Sequence, residues 1–198
     1  MSTMADSLVV GRAARIRAAF AVVSVVAGSL FIAGLAQVSI RLPFTPVPIT
    51  GQTLGVLLVG ASLGPFLGTA AVGLYLLEGA IGLPFFAGGE SGVSVLGAAS
   101  ATGGYLWGFV LAATLVGWLA RRGWDRSIRS SIGAMFLGEV VIYAVGVPWL
   151  MSAVNLPLSQ GLEKGLYPFV IGDTIKLLIA AGVLPAVWKL IRRYLPDR

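Results

Sequence analysis

The chain contains no cysteine and no histidine. Their absence removes disulfides, thiolate nucleophiles, Cys/His zinc sites and imidazole acid–base catalysis together. Charge is scarce as well. Only 11% of residues are Asp, Glu, Lys or Arg, against roughly 25% in an average soluble domain. No G-x-x-x-x-G-K-[ST] stretch occurs, so the signature that cradles ATP phosphates is missing and any ATP-driven step must be powered by a partner. No cofactor or metal is expected.

What remains is apolar. Hydrophobic residues make up 57% of the 198 and the mean hydropathy is +0.92, which defines an all-α integral membrane protein in contact with lipid. A span takes about 20 residues, so the chain has room for one membrane domain over residues 1–198 and none for a separate soluble domain. The net charge of +6 is read as topological rather than as a nucleic-acid footprint, because basic clusters beside apolar spans mark the cytoplasmic face.

Apolar runs predict helices over residues 18–36, 52–63, 66–83, 103–120, 132–151 and 167–188. The second run is short, and merging it with the third across Gly64-Pro65 gives five spans instead of six. Charge placement decides between the two counts. With six spans and cytoplasmic termini, eleven of the fourteen basic residues fall inside: Arg12, Arg15 and Arg17, then Arg121, Arg122, Arg126 and Arg129, then Lys189, Arg192, Arg193 and Arg198. Arg41 and Lys164 fall outside, and Lys176 lies within a span. Five spans place a large basic cluster on each side, against the positive-inside rule. The start of the chain imitates a secretory signal ending at Gly34-Leu35-Ala36, but cleavage there leaves five spans and breaks this pattern. The expectation is a six-transmembrane-helix bundle with the first helix retained.

Asp173 and Lys176 lie three residues apart inside the last apolar run. A charge at the centre of a membrane helix costs about 2.5–3.5 kcal/mol. Three residues of helix turn through roughly 300° and rise about 4.5 Å, so both side chains share a face and can clasp one polar molecule. The bland alternative is a self-neutralising pair that fastens neighbouring helices. Counted from Tyr167, Asp173 is expected roughly 9 Å below the outer end of its helix.

Two irregular segments belong to the same outer side. In residues 37–50, Val38, Ile40, Leu42 and Phe44 alternate with Ser39, Arg41, Pro43 and Thr45, and Pro43, Pro46 and Pro48 forbid helix and discourage strand pairing. A stiff, half-apolar flap is expected, with Phe44, Val47 and Ile49 able to cover a cavity or simply to pack on the bundle. Residues 84–102 carry Gly88-Gly89, Gly92, Gly97 and Glu90, and lead into Thr102-Gly103-Gly104-Tyr105. Those glycines can bring backbone N–H groups to a ligand, or Thr102 can cap the helix. A shallow extracytoplasmic pocket follows.

Other patterns fail. Gly60-Ala61-Ser62-Leu63-Gly64 matches G-x-S-x-G, but no histidine exists to activate Ser62, and Gly60, Gly64 and Gly68 read better as a close helix contact. Val170-Ile171-Gly172-Asp173 lacks the first glycine of the intramembrane aspartyl protease pattern and has no second aspartate within a span. Glu78 and Glu139 lie in or near spans and keep a proton relay open.

One resemblance goes further than these patterns. Gln37-Val38-Ser39-Ile40, Leu42-Pro43-Phe44-Thr45-Pro46-Val47-Pro48-Ile49-Thr50 with Gln52-Thr53, Gly79-Ala80-Ile81-Gly82-Leu83-Pro84 leading to Phe86-Ala87-Gly88-Gly89, Thr102-Gly103-Gly104-Tyr105-Leu106, Gly146-Val147-Pro148-Trp149, and Gly172-Asp173 with Lys176 together resemble the BioY family, in order and spacing. The resemblance implies the substrate-binding S component of an energy-coupling factor (ECF) transporter, taking up biotin across the cytoplasmic membrane with a membrane-coupling T component and ABC-type ATPases. It implies Asp173 and Lys176 as substrate-binding residues, with Gln52, Glu90, Thr102 and Tyr105 beside them. Asp173 would accept from the ureido N–H groups, and Lys176 would donate to the ureido carbonyl or pair with the carboxylate. It also implies docking on small residues of the first helix, for which Ala14 with Ala18, Ser24 with Gly28, and Ser29 with Ala33 are available. Two rivals stand beside this reading: a stand-alone proton-coupled carrier of biotin or a related small molecule, and an intramembrane enzyme.

Overall fold

The computed structural model describes Thr3, Met4 and residues 14–194. Arg12 and Arg198, counted in the charge pattern, lie outside the described residues. The chain is almost wholly helical: α1 (Ala14–Ala36), α2 (Gln52–Ala80), α3 (Gly103–Arg121), α4 (Ile128–Ala153), the short α5 (Leu158–Gly165) and α6 (Val170–Tyr194). Five of these are long and apolar enough to cross a membrane, namely all but α5. The protein is therefore a multi-pass membrane protein.

The second of the five is folded back on itself. Gly64 takes φ 81° and ψ 179° within α2; glycine adopts the positive φ without a Cβ penalty, and the extended ψ avoids the α region that a following proline disfavours. Pro65 then opens the next helical arm, where its missing N–H leaves no bond unmade. The reversal shows in the packing. A Cβ built on Gly68 would lie 2.9 Å from the Cα of Gly60, whereas eight residues of straight helix span about 12 Å. At the far ends of the two arms, Gln52 donates through Nε2 to the Tyr75 hydroxyl at 2.5 Å.

The α3 helix fills the centre of the bundle, packed between α2 and α4, with Ala112, Ala113 and Val116 wholly buried. Glycines permit the approach. A Cβ on Gly60 would meet the backbone of Ala113 at 2.8 Å, and one on Gly117 would meet that of Gly64 and Pro65 at 2.5 Å. The stretch around Ser62 is thus a close helix contact. Outside this centre, α6 packs on α4 and α2, while α1 rests on α2 and is the least buried of the five. Ser29 of α1 is buried and donates to Glu78, Gly28 meets the Ala71 side chain, and Ala33 is buried. Those small residues are taken up by packing within the chain, leaving Ala14 and Ala18 exposed.

The two ends of the bundle differ in chemistry. At one end the Arg121 guanidinium lies over the Phe66 ring, Arg122 over Trp118, and Arg126 over Trp188, whose indole N–H donates to Asp125. At the other end are residues 37–50, residues 84–102 and α5. The flap does form strand pairs, contrary to expectation: Ser39–Ile40 (β1) runs antiparallel to Ile49–Thr50 (β2). Pairing is possible because all three prolines lie between the paired residues. Residues 84–102 contain two 3₁₀ turns, Ala87–Gly89 and Val93–Leu96. They are pinned by Phe86, whose ring occupies the space over Gly79 and stands edge-on to Tyr75 at 5.7 Å.

Placing a methyl at the hairpin crossing should be destabilising. Gly117→Ala is expected to lower stability by about 1–3 kcal/mol, while Gly34→Ala on the open face of α1, with nothing within 4 Å, should be neutral or stabilising. Thermal unfolding of the two variants in detergent checks this.

Candidate functional site

The site begins at the N-terminal end of α6, on the flap side of the bundle. Leu166, Tyr167 and Pro168 precede the helix, so Asp173 sits in the first turn, its N–H bonded to the Phe169 carbonyl at 2.8 Å. This corrects the expected depth. Asp173 is only three residues into α6, about 4.5 Å along it, because the apolar run opens with a turn rather than a helix. A carboxylate at that position faces the positive end of the helix dipole, which is stabilising.

Lys176, Thr53 and Tyr143 converge on this carboxylate. Lys176 Nζ bonds Asp173 Oδ1 at 2.8 Å and Thr53 Oγ1 at 3.2 Å. Thr53 donates to the same Oδ1 at 3.3 Å, and the Tyr143 hydroxyl donates to Oδ2. The side chains of Asp173 and Lys176 are 7% and 15% exposed. The pair therefore does tie α6 to α2 and α4, and it also faces a cavity.

That cavity brings together all six residues singled out in the sequence: Asp173, Lys176, Gln52, Glu90, Thr102 and Tyr105. Their side chains differ in what they have left to offer. The Gln52 amide is engaged at both ends, by Tyr75 and by the Thr50 hydroxyl at 2.8 Å. Tyr105 donates its hydroxyl to the Gly165 carbonyl at 2.8 Å and shows the cavity its ring. Glu90 is paired with Arg41 at 2.5 Å. Thr102 shares a hydrogen bond with Ser100 at 3.1 Å and makes no side-chain cap to α3, so the capping alternative does not hold.

The glycines before Tyr105 have a packing role. A Cβ on Gly104 would overlap the Trp149 side chain at 2.2 Å, and one on Gly146 would overlap the Tyr105 ring at 2.4 Å. Gly103-Gly104-Tyr105 and Gly146-Val147-Pro148-Trp149 interlock ring over glycine in both directions. Trp149 then donates to the Ser100 carbonyl at 3.0 Å. Of the flap residues expected over the cavity, Val47 is buried and lines it, and Pro48 lines it too, while Phe44 is exposed. The flap tip is fastened by Thr45, which donates to the Lys164 carbonyl at 2.6 Å.

Sequence reasoning did not single out Thr53, Tyr143 or Phe169 as site residues. Tyr143 had a signal, since it lies four residues after Glu139 on the same face of an apolar helix. Glu139 is 5% exposed, neither of its oxygens has a hydrogen-bond partner, and Asp173 and Lys176 are the charges acting on it. The cavity holds about 50 Å³ open to a water-sized sphere, far below the roughly 300–1,000 Å³ of ligand pockets. The polar pair thus faces a small cavity walled by Phe86, Phe109, Phe169 and Tyr105.

A helical membrane bundle with a charged pair under a flap has the form of a small-molecule transport component, and comparison with known proteins makes this specific. The profile described as "BioY family" matches residues 6–193. "Biotin transporter BioY" of Rhizobium etli is 36% identical over 149 residues, covering 72% of this chain and 78% of its own. The Thermotoga maritima protein of the same name is 40% identical over 151 residues, covering 76% and 86%. The crystal structure of the S-component for biotin from an ECF-type ABC transporter superimposes with a TM-score of 0.80 at 28% identity, covering 90% of this chain and 95% of the other. The chain belongs to the BioY family.

Removing one partner of a buried pair costs about 3–5 kcal/mol, whereas removing both can be close to neutral. Lys176→Met alone should therefore destabilise the protein, and Asp173→Asn added to it should restore much of the loss. A double-mutant cycle of unfolding midpoints in detergent measures this.

Proposed function

We infer that this chain captures biotin as the S component of an ECF transporter, and that Asp173 and Lys176 are its principal substrate-binding residues. The observation that carries the reading is the residual hydrogen-bonding capacity of the pair. An ionised carboxylate has about four acceptor positions and a lysine three donors. Three of the former and two of the latter are engaged by Thr53, Tyr143, Asp173 and Lys176 among themselves. One acceptor position on Asp173 and one donor on Lys176 remain in the same cavity, which suits an N–H and the carbonyl of a cyclic urea. The aromatic walls suit the fused rings. Tyr105 and Gln52, with their polar atoms engaged, shape the wall, and Thr102 and Glu90 stand along it toward the flap.

Family membership makes the chain a transport component and not an enzyme. In this reading the bundle makes six passes, the two arms of α2 counting separately, with both termini cytoplasmic and the site extracytoplasmic. Its support is the hairpin at Gly64 and the segregation of Arg121, Arg122 and Arg126, clasped on aromatic rings, to the end opposite the flap. Energy comes from a T component and ABC-type ATPases docked on the bundle, in keeping with the missing nucleotide motif. Because the cavity is small, the flap and residues 84–102 part to admit the ligand and then pack over it. Closure excludes water and strengthens the contacts to Asp173 and Lys176.

The buried, unpartnered Glu139 favours a second reading, a proton-coupled carrier working alone. Uptake separates the two. The S-component reading expects biotin accumulation in cells that also express a coupling module and insensitivity of binding to a protonophore, while the carrier expects accumulation without the module that collapses with the proton gradient.

Asp173→Asn should insert normally but weaken biotin about 10- to 100-fold, the loss of a charged hydrogen bond. Titration of labelled biotin into purified protein, with quenching of its five tryptophans as a second readout, tests this; wild-type affinity in the variant overturns the assignment.

A further inference from the structure

The polar pair meets the ring end of the ligand, but a biotin molecule also carries an anionic tail. A carboxylate placed at Lys176 would lie against the Asp173 carboxylate, where like charges oppose each other. It would also compete for the only donor that Lys176 has left. The tail needs another cation.

A second cavity of about 220 Å³ adjoins the first. Pro48, Glu90 and Thr102 line both, so the two adjoin beneath the flap. Among the described residues lining them, the cations are Lys176 below and Arg41 above. Arg41 projects from just beyond β1 and reaches across to residues 84–102. There Nη2 bonds Glu90 Oε1 at 2.5 Å, and a Cβ on Gly88 would stand 3.7 Å from the same Nη2. Gly88 has φ +65, so the turn that cradles the guanidinium is one that glycine favours.

We propose that Arg41 is the subsite for the ligand's carboxylate, so that biotin lies head-down on Asp173 and Lys176 and tail-up between the flap and residues 84–102. The proposal rests on the biotin reading above. A guanidinium presents five N–H donors in a planar fork and can hold two carboxylates at once. Glu90 anchors it over the cavity through one nitrogen and leaves the other donors for the ligand. The Arg41 side chain is 67% exposed, so the tail keeps part of its hydration and the anion is not stranded in apolar surroundings. Glu90 has two effects: it positions Arg41, and it places a negative charge near the incoming one. Arg41 is thereby a selector for an acidic tail, with a modest contribution because the pair is exposed.

The experiment compares biotin with biotin amide, whose tail is uncharged, by competition binding to wild-type, Arg41→Gln, Arg41→Lys and Glu90→Gln proteins in detergent at low salt. Wild-type protein should prefer biotin by about three- to tenfold. Arg41→Gln should abolish that preference by weakening biotin while leaving the amide unchanged, and Arg41→Lys should retain most of it. Glu90→Gln should raise the preference, because it removes an opposing charge. An Arg41–Glu90 pair acting only as a latch would instead make both neutral variants shift the two ligands together. That outcome, or an undiminished preference in Arg41→Gln, overturns the subsite and leaves the substrate reading intact. Failure of wild-type protein to bind either compound overturns both.

Discussion

The carboxylate of Asp173 is the point at which the flap-side half of the bundle is joined. Lys176 and Thr53 reach one of its oxygens and Tyr143 the other, so α2, α4 and α6 meet on one anion. A charge there is tolerable for two reasons that act together. It lies in the first turn of α6, where the helix dipole favours a negative group, and it has a cation and two hydroxyls as partners, which is what a buried ion requires. The insertion cost assumed for a charge at mid-helix does not apply at this position. Most of the scaffold on that side serves to hold this cluster under a lid: Thr45 ties the flap to α5, Tyr105 ties α3 to α5, and Phe86 locks residues 84–102 onto Gly79.

In the proposed reading, the same cluster combines stability and binding in one group of atoms. A fully satisfied polar network would rigidify the bundle and have nothing to offer a ligand. Here the network closes with one donor and one acceptor to spare. The surrounding aromatic rings lower the local dielectric, so in the proposed reading those remaining positions would discriminate between a matching urea and anything that leaves them unpaired.

Glycine is what lets so short a chain enclose such a site. Gly60, Gly64, Gly68 and Gly117 bring the α2 hairpin and α3 to backbone contact, while Gly104 and Gly146 accept Trp149 and Tyr105. In lipid, helix association relies on this closeness, since apolar burial offers no preference for protein over acyl chain. The residues that carry the family resemblance thus divide in two. Some, such as Gly104 and Trp149, are packing pairs, and others, such as Asp173 and Lys176, are the polar chemistry that the packing positions.

Much of this was legible in the chain. Composition and apolar runs define a helical membrane bundle, the spacing of Asp173 and Lys176 places them on one face, and the prolines and glycines mark the flap and the second outer segment, because each rests on local rules of helix period, backbone freedom and transfer from water. Tertiary structure decided the rest. Nothing local shows that Gly64 reverses the chain, that Gln52 and Tyr105 have their polar atoms engaged by Tyr75 and Gly165, or that Thr53 and Tyr143 converge on Asp173 from helices 120 and 30 residues away. Those are contacts between distant segments, and their hydrogen-bonding capacity is divided only once the helices have packed.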